Sequence, residues 1–371
     1  MPEQRQYQIE RARAAVLQEG ASATTTLVEA WFDRAWITRS WQRCLQQGRR
    51  PEQAIGFDLV PAGARRRAEN AHHALLAAAR PEMQRLARAV APIRYFAILT
   101  DAEGCVVETA GAIDRHDRHA EVIARVGVDL SERSIGTSAI GAALGELHPV
   151  WLHRGEHFFD ATSVYSCAGA PLFGPRGGCV GMLDLTGINV AERPELKHLV
   201  ARSARAIEDA LTLAVPHALR MRLAWDDAAA DGDGGALLCL DGEGAVVSAN
   251  PAARAMLPAL AGLAGGALHA GDLFAQPWMQ LFDQAQRGLP ASVPLWSGLR
   301  VWVHAVRTAS APGRPAGPQL PLRALENDLI HQAVRAAGGN VSQAAQTLGL
   351  SRATVYRRLA KARASGKPAR S

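Results

Sequence analysis

At 371 residues and 48% hydrophobic composition, the chain has room for two or three packed domains. The opening MPEQRQYQIERARAA mixes charges and lacks the apolar centre of a signal peptide, and no later stretch approaches the ~18 uninterrupted apolar residues needed to span a bilayer, so the expected location is the cytoplasm with no membrane partner. The formal charge of +6 is local: residues 320–371 hold nine Lys and Arg against two Asp and Glu, and the remainder is nearly neutral with 32 basic and 33 acidic groups.

In chain order, residues 1–69 read as an N-terminal helical segment with an SWQRC element at Ser40 to Cys44 and a turn around Gly48 to Pro51. Ala68 to Val90 is alanine-rich and helical. Tyr95 to Thr100 and Cys105 to Thr109, divided by the turn Asp101 to Gly104, form a candidate β-hairpin. A helix of small residues is expected from Gly136 to Leu144. A second strand pair, around Cys167 to Phe173 and Gly178 to Thr186, turns at Gly174-Pro175-Arg176-Gly177, and a helix runs from about Pro194 to Ala214. Strands and helices alternating over residues 70–215 suit an α+β sensor domain, a sheet covered by helices.

Residues 232–308 repeat the theme more weakly. ALLCLDGEGAVVSANPAARAML reads as strand, Asp-Gly turn, strand and a helix capped by Asn250, with a further strand at Leu299 to Val306. A linker rich in Pro and Gly, residues 309–319, follows. Residues 320–365 then form an all-α segment. Leu322, Leu325, Leu329, Ala333 and Ala336 give one amphipathic helix, stopping at Gly338-Gly339. Val341, Ala344, Ala345 and Leu348 stripe a second, which Asn340 caps and Gly349 ends. A third, from Arg352 to roughly Ala362, turns Val355 and Leu359 inward and leaves Arg352, Thr354, Arg357, Arg358 and Lys361 outside. That division suits a recognition helix held by its inner stripe while its outer residues meet double-stranded DNA.

This C-terminal arrangement resembles the helix-turn-helix domain of the Fis nucleoid protein and of sigma-54-dependent activators. The resemblance implies DNA contacts at Asn340, Ser342, Gln343, Ser351, Arg352, Thr354 and Arg357, with Arg352 and Thr354 nearest the bases and a homodimer paired through the helix from Leu322 to Ala337. SERSIGTSAIGAALGELHPVWLHRGEHF (Ser131 to Phe158) and SCAGAPLFGPRGGCVGMLDLTG (Ser166 to Gly187) resemble the GAF sensor domain of the acetoin-catabolism regulator group within those activators, and SWQRC belongs to the same pattern. The order of elements in 232–308 resembles a PAS domain, without a cofactor element. Activators of the usual design also carry an ATPase between sensor and DNA-binding domain. Its phosphate loop, GxxxxGK followed by Ser or Thr, is absent, and the chain's Gly-Lys, Gly366-Lys367, precedes a proline.

DRHDRH (Asp114 to His119), with His153, Glu156 and His157, interleaves the arginines Arg115, Arg118 and Arg154, which oppose a cation, so an ion-paired surface is expected and no metal site. Five cysteines, Cys44, Cys105, Cys167, Cys179 and Cys239, form no CxxC pair, which argues against disulfide and zinc frameworks. The start of a helix at Gly136-Thr137-Ser138 either binds an anion or packs helix on sheet. Asp184, in the apolar strand Val180 to Leu185, is either structural or a pocket residue. Gly136, Thr137, Ser138, Glu156, His157 and Asp184 are therefore the candidate ligand residues, for a small-molecule effector of unspecified identity, with no catalytic set and no cofactor. The expectation is a regulator that senses a metabolite, binds DNA as a dimer without ATPase activity, and engages RNA polymerase or a full-length activator. The alternatives are a Fis-like architectural protein and a thiol-dependent methionine sulfoxide reductase.

Overall fold

The computed structural model describes residues 2–14, 16, 35–57, 60, 63–226, 235–308, 341, 343 and 345. Residues 1–309 form one compact unit and 310–371 another. In chain order the first unit contains α1 (Pro2–Arg13), α2 (Ala35–Gln46), α3 (Ala64–Ala71), α4 (His73–Val90), β1 (Tyr95–Thr100), β2 (Val106–Ala110), α5 (Arg118–Ile123), α6 (Glu132–Ile135), α7 (Ala139–Glu146), β3 (Val150–His153), β4 (Tyr165–Phe173), β5 (Cys179–Ile188) and α8 (Leu196–Ala214). It continues through β6 (Leu219–Ala224), β7 (Ala236–Leu240), β8 (Val246–Ala249), α9 (Pro251–Met256), α10 (Ala270–Leu273), α11 (Met279–Arg287), β9 (Ala291–Pro294) and β10 (Arg300–Arg307). The fold is mixed α+β with two antiparallel sheets, and among the described residues no helix is long and apolar enough to cross a membrane.

The first sheet has the order β2-β1-β5-β4-β3. Its strands show why an unbroken apolar run can still be a strand: β1 is buried at every position because both faces of the sheet are covered. Tyr95, Ala97 and Leu99 join the core beneath α4 and α8, while Phe96 and Ile98 point the other way, into a core shared with α2, α7 and the loops around Phe158. The same alternation in β5 sends Leu183 and Leu185 to the first core and Met182 to the second. Asp184 therefore lies on the second face, paired across the sheet with Ile98 on β1 and Gly169 on β4.

The second sheet has the order β8-β7-β6-β10-β9 and packs against α9, α10 and α11. It is joined to the first by α8 and by the β4–β5 turn. Ser248 Oγ donates to the Thr212 carbonyl at 2.9 Å, Asn250 Nδ2 to Asp209 at 2.7 Å and Arg254 to the Gly174 carbonyl at 3.0 Å, while the Ala249 amide meets Pro175 O at 3.0 Å.

Two expectations need correction. The helix expected from Ala68 to Val90 is two helices broken at His72, whose backbone leaves the helical region (φ −115°, ψ 25°) and whose ring lies 3.6 Å from Asp101. The helix expected from Gly136 begins instead at Ala139. Gly136 adopts φ +66° and ψ −156°, and Ser138 is the extended cap whose hydroxyl accepts from the Gly141 amide. The strands β3, β6 and β9 were not anticipated.

Candidate functional site

The second face of the first sheet carries a small enclosed cavity. Its floor is Ile98, Cys167, Asp184 and Thr186 from β1, β4 and β5; its walls are Ile135, Ser138, Ala139 and Ile140; and Phe57, His157, Thr162 and Tyr165 cover it. The volume is about 20 Å³, room for one water molecule. Phe57, Thr162 and Tyr165 also face an outer cleft of about 430 Å³ that includes Arg118, His119 and Arg125.

Two polar groups in this cavity are buried without being fully paired. Asp184 is 0% exposed; its Oδ2 accepts from the Thr186 hydroxyl, and its Oδ1 has no hydrogen-bond partner among the described residues. Burial pushes its carboxyl from 3.8 to about 7, against the lowering effect of the Thr186 bond. His157 is 1% exposed; Nδ1 lies 3.0 Å from the Arg154 carbonyl and Nε2 has no partner among the described residues. Burial lowers its pKa to about 4, the Arg154 carbonyl acting in the opposite sense, so the ring is neutral at pH 7. Cys167 reaches Thr186 at 3.4 Å, and burial and Asp184 raise its thiol well above the ordinary value. A thiol held protonated in this way is a poor nucleophile.

The N-terminal helices hold the cover in place. Ser40 donates to Glu132 at 2.7 Å and shares a 2.7 Å bond with Thr137, Arg43 forks onto both Glu132 oxygens at 2.7 and 2.8 Å, and Trp41 Nε1 donates to the Glu156 carbonyl at 3.0 Å. SWQRC therefore docks on Ser131 to Phe158, the first of the two segments that carry the rest of its sequence pattern. From α1, Arg13 donates to the carbonyls of Gly155, His157 and Phe158 and pairs with Asp160 at 2.7 Å, while Arg5 pairs with Glu156 at 2.6 Å. Each backbone carbonyl so engaged lies in the segment that presents His157.

Of the six candidate ligand residues, Ser138, His157 and Asp184 meet in the cavity. Thr137 is bonded to Ser40, and Glu156 turns to Arg5 and to the His153 amide at 2.7 Å. Gly136 serves packing, since an added Cβ would lie 2.8 Å from the Phe159 ring. The DRHDRH stretch is built of local turns: Asp114 accepts from the His116 amide, and Asp117 caps α5 by accepting from His119. Among the described residues no group of three or more His, Cys, Asp or Glu is placed to hold a metal ion. The strand pairing adds Tyr165, Cys167 and Thr186, which sequence reasoning missed because only the register brings them beside Asp184.

Of the candidate DNA contacts, Gln343 is described, exposed on a helical stretch beside half-buried Val341 and buried Ala345. Asn340, Ser342, Ser351, Arg352, Thr354, Arg357, Arg358 and Lys361 lie outside the described residues, as do the linker and the helix from Leu322 to Ala337.

Residues 321–361 match the model of the Fis family of bacterial regulatory proteins, which sets the class of this molecule: a regulatory protein with a Fis-type helix-turn-helix. Residues 7–209, more than half the chain, match the MimR N-terminal domain, and the chain belongs to that family. It is 31% identical over 251 residues to the acetoin catabolism regulatory protein of Cupriavidus necator, covering 65% of this chain and 37% of that protein. It is 27% identical over 179 residues to the acetoin dehydrogenase operon transcriptional activator AcoR of Bacillus subtilis, covering 47% and 29%. Against the propane 2-monooxygenase operon transcriptional activator MimR of Mycolicibacterium smegmatis the identity is 26% over 205 residues, covering 54% and 33%. The chain thus spans about a third of the length of these relatives. Among solved structures it is similar to the E. coli DhaR(N)–DhaL complex, with a TM-score of 0.44, 15% identity and coverage of 74% and 99%, a likeness too distant to bear on function.

Proposed function

We propose that this chain is a cytoplasmic transcription regulator that senses a small metabolite in the cavity over β1, β4 and β5 and binds specific double-stranded DNA as a homodimer through residues 320–365. One observation carries the reading: a Fis-family segment shares a chain with a domain whose buried cavity holds two polar atoms, at His157 and Asp184, with no hydrogen-bond partner among the described residues. A buried polar group without a partner costs stability, and such groups persist where a ligand pairs them. The relatives, named as regulators of acetoin and propane 2-monooxygenase operons, support both an effector and a transcriptional role.

In this reading Arg352 and Thr354 meet base edges, Arg357, Arg358 and Lys361 meet phosphates, and Asn340, Ser342, Gln343 and Ser351 set the approach of the helices. The sequence holds no phosphate loop, so the effect on transcription comes from occupancy, through RNA polymerase or a full-length activator at a shared site, and not from ATP hydrolysis. The effector acts through a coupling free energy of ~1–3 kcal/mol, enough to change occupancy roughly 5- to 150-fold. An enzymatic role for Cys167 is disfavoured by its raised thiol.

The test is genome-wide footprinting followed by binding assays. Few protected inverted repeats are expected. Arg352→Ala should cost about 1–3 kcal/mol at the preferred site and relax discrimination there, while Arg357→Ala should weaken all sequences evenly. Uniform binding across the genome, with equal losses for both variants on specific and random DNA, would overturn the reading in favour of an architectural protein.

A further inference from the structure

The two N-terminal helices are held by different means. α2 is seated by core packing, with Trp36, Ile37, Trp41 and Cys44 at or near complete burial. α1, PEQRQYQIERAR, buries Ile9 and Ala12 and leaves Tyr7 61% exposed. Between it and the rest of the domain runs a cleft of about 710 Å³, bounded by Ile9, Glu10 and Arg13 on one side and by His153, Ser163 and Glu192 on the other. A helix with so small an apolar seat depends on its polar bonds to stay docked. Arg13 donates to the carbonyls of Gly155, His157 and Phe158 at 2.9, 2.6 and 3.2 Å and pairs with Asp160 at 2.7 Å. Arg5 pairs with Glu156 at 2.6 Å and Glu192 at 3.2 Å and lies 4.1 Å above the Trp151 ring. All of these bonds except the pair with Glu192 end on residues 155–160, the span that places His157 over the cavity.

We propose that α1 is a releasable strap: docked, it clamps residues 155–160 shut over the cavity, and its departure as a unit lets His157 swing out and opens the cavity to small molecules. With α1 gone, Trp41 still holds the Glu156 carbonyl at 3.0 Å and Pro51 the Asp160 amide at 2.9 Å. These tethers bracket His157, Phe158 and Phe159, and between them the Phe158 amide meets the Thr137 carbonyl at a long 3.4 Å.

The cavity requires such a step. At about 20 Å³ it holds one water, so anything larger enters after the cover moves. Lifting α2 would bring two tryptophans, an isoleucine and a cysteine into water, whereas α1 gives up little apolar contact, so the opening of lowest cost begins with α1. Docking of α1 and filling of the cavity are then linked, and the apparent affinity for any occupant is its intrinsic affinity multiplied by the fraction of chains with the strap released. This goes beyond the sensory reading and rests on the cavity, not on what fills it.

Cys167, on the cavity floor and 8% exposed, is a built-in reporter of opening, while Cys44 on α2 and Cys239 in the second sheet, both 0% exposed, report wider unfolding. Alkylation of the full chain by iodoacetamide, read at each cysteine by peptide mass spectrometry, should be roughly tenfold or more faster at Cys167 in Arg13→Gln than in wild type, with Cys44 and Cys239 unchanged. Arg11→Gln, at an exposed position of the same helix, should leave all three rates as they are. Equal Cys167 rates in wild type and Arg13→Gln would overturn the strap, as would Cys44 rising in step with Cys167, which would mean that the whole N-terminal layer opens together. Should Arg13→Gln fold poorly, hydrogen exchange on the wild-type chain decides: the amides of α1 should exchange roughly tenfold or more faster than those of α2, with residues 155–160 keeping pace with α1. Equal protection of the two helices would show that α1 does not release. A failed strap leaves the sensory reading standing; that reading fails when a small-molecule cell extract leaves the unfolding temperature unchanged.

Discussion

Replacing Asp184 with Asn should make the protein more stable at neutral pH and change little in acid. The carboxyl has an ordinary value of 3.8 and is raised to about 7 by burial, so the native state keeps a proton that the unfolded chain releases. Stability from this group is present in full below pH ~4, falls as pH rises, and is lost above the folded value near 7. Three pH units at ~1.4 kcal/mol each set an upper bound on the order of 4 kcal/mol. Asn cannot ionise and so does not carry this loss. Glu208, also raised to about 7 by burial, titrates in the same direction, and His157, lowered to about 4, adds stability as pH rises from 4 to 6.5. Both are common to the two proteins and drop out of the difference. Urea unfolding of wild type and Asp184→Asn at unit steps from pH 4 to 8 should therefore give a gap that opens with pH and levels off above 7. A gap independent of pH would show that Asp184 is not held protonated by its surroundings.

Arg43→Ala removes the fork onto Glu132 and should lower unfolding stability by roughly 1–2 kcal/mol, discounted because Arg43 is partly exposed, with Arg43→Lys recovering only part of it; a urea midpoint unchanged in both would remove the docking role of SWQRC. Gly181→Ala would set a Cβ 2.2 Å from the Thr100 carbonyl oxygen in the neighbouring strand and should cost on the order of 3 kcal/mol or prevent folding, whereas Gly145→Ala, with open space around it in α7, should be neutral or gain up to about 1 kcal/mol. Thermal unfolding of the pair checks both, and equal stability would mean that β1 and β5 do not pack this closely.

How much of this was legible in the sequence varied with what each element has around it. β1, β4 and β5 were readable because burial on both faces makes them apolar runs bounded by Gly and Pro turns. β6, LRMRLA, was missed because arginines on its outer face break the apolar run, and β3 and β9 were missed because four residues carry too little pattern without the Asp-Gly turn and helix cap that mark the equally short β8. Asp184 was visible as an anomaly within an apolar strand, but its neighbours Cys167 and Thr186 could be found only through the β4–β5 register. Glu156 and His157 are adjacent in sequence and looked alike. The turn at Arg154–Glu156 sends one to Arg5 and the other into the cavity, a choice made by tertiary contacts.

The docking of α2 also bears on how this protein can be divided. A fragment cut at residue 70 keeps every strand of the first sheet, yet it discards Trp36, Ile37, Trp41 and Cys44, four side chains at or near complete burial in the same core as Ile98 and Phe158. Its Glu132 would lose a forked cation and a hydroxyl, and the aromatic pair Phe158 and Phe159 would face water along one side. The smallest piece able to fold as the sensor therefore starts ahead of Ala35, and a soluble but truncated sheet that binds nothing would report the missing wall and not an absent ligand.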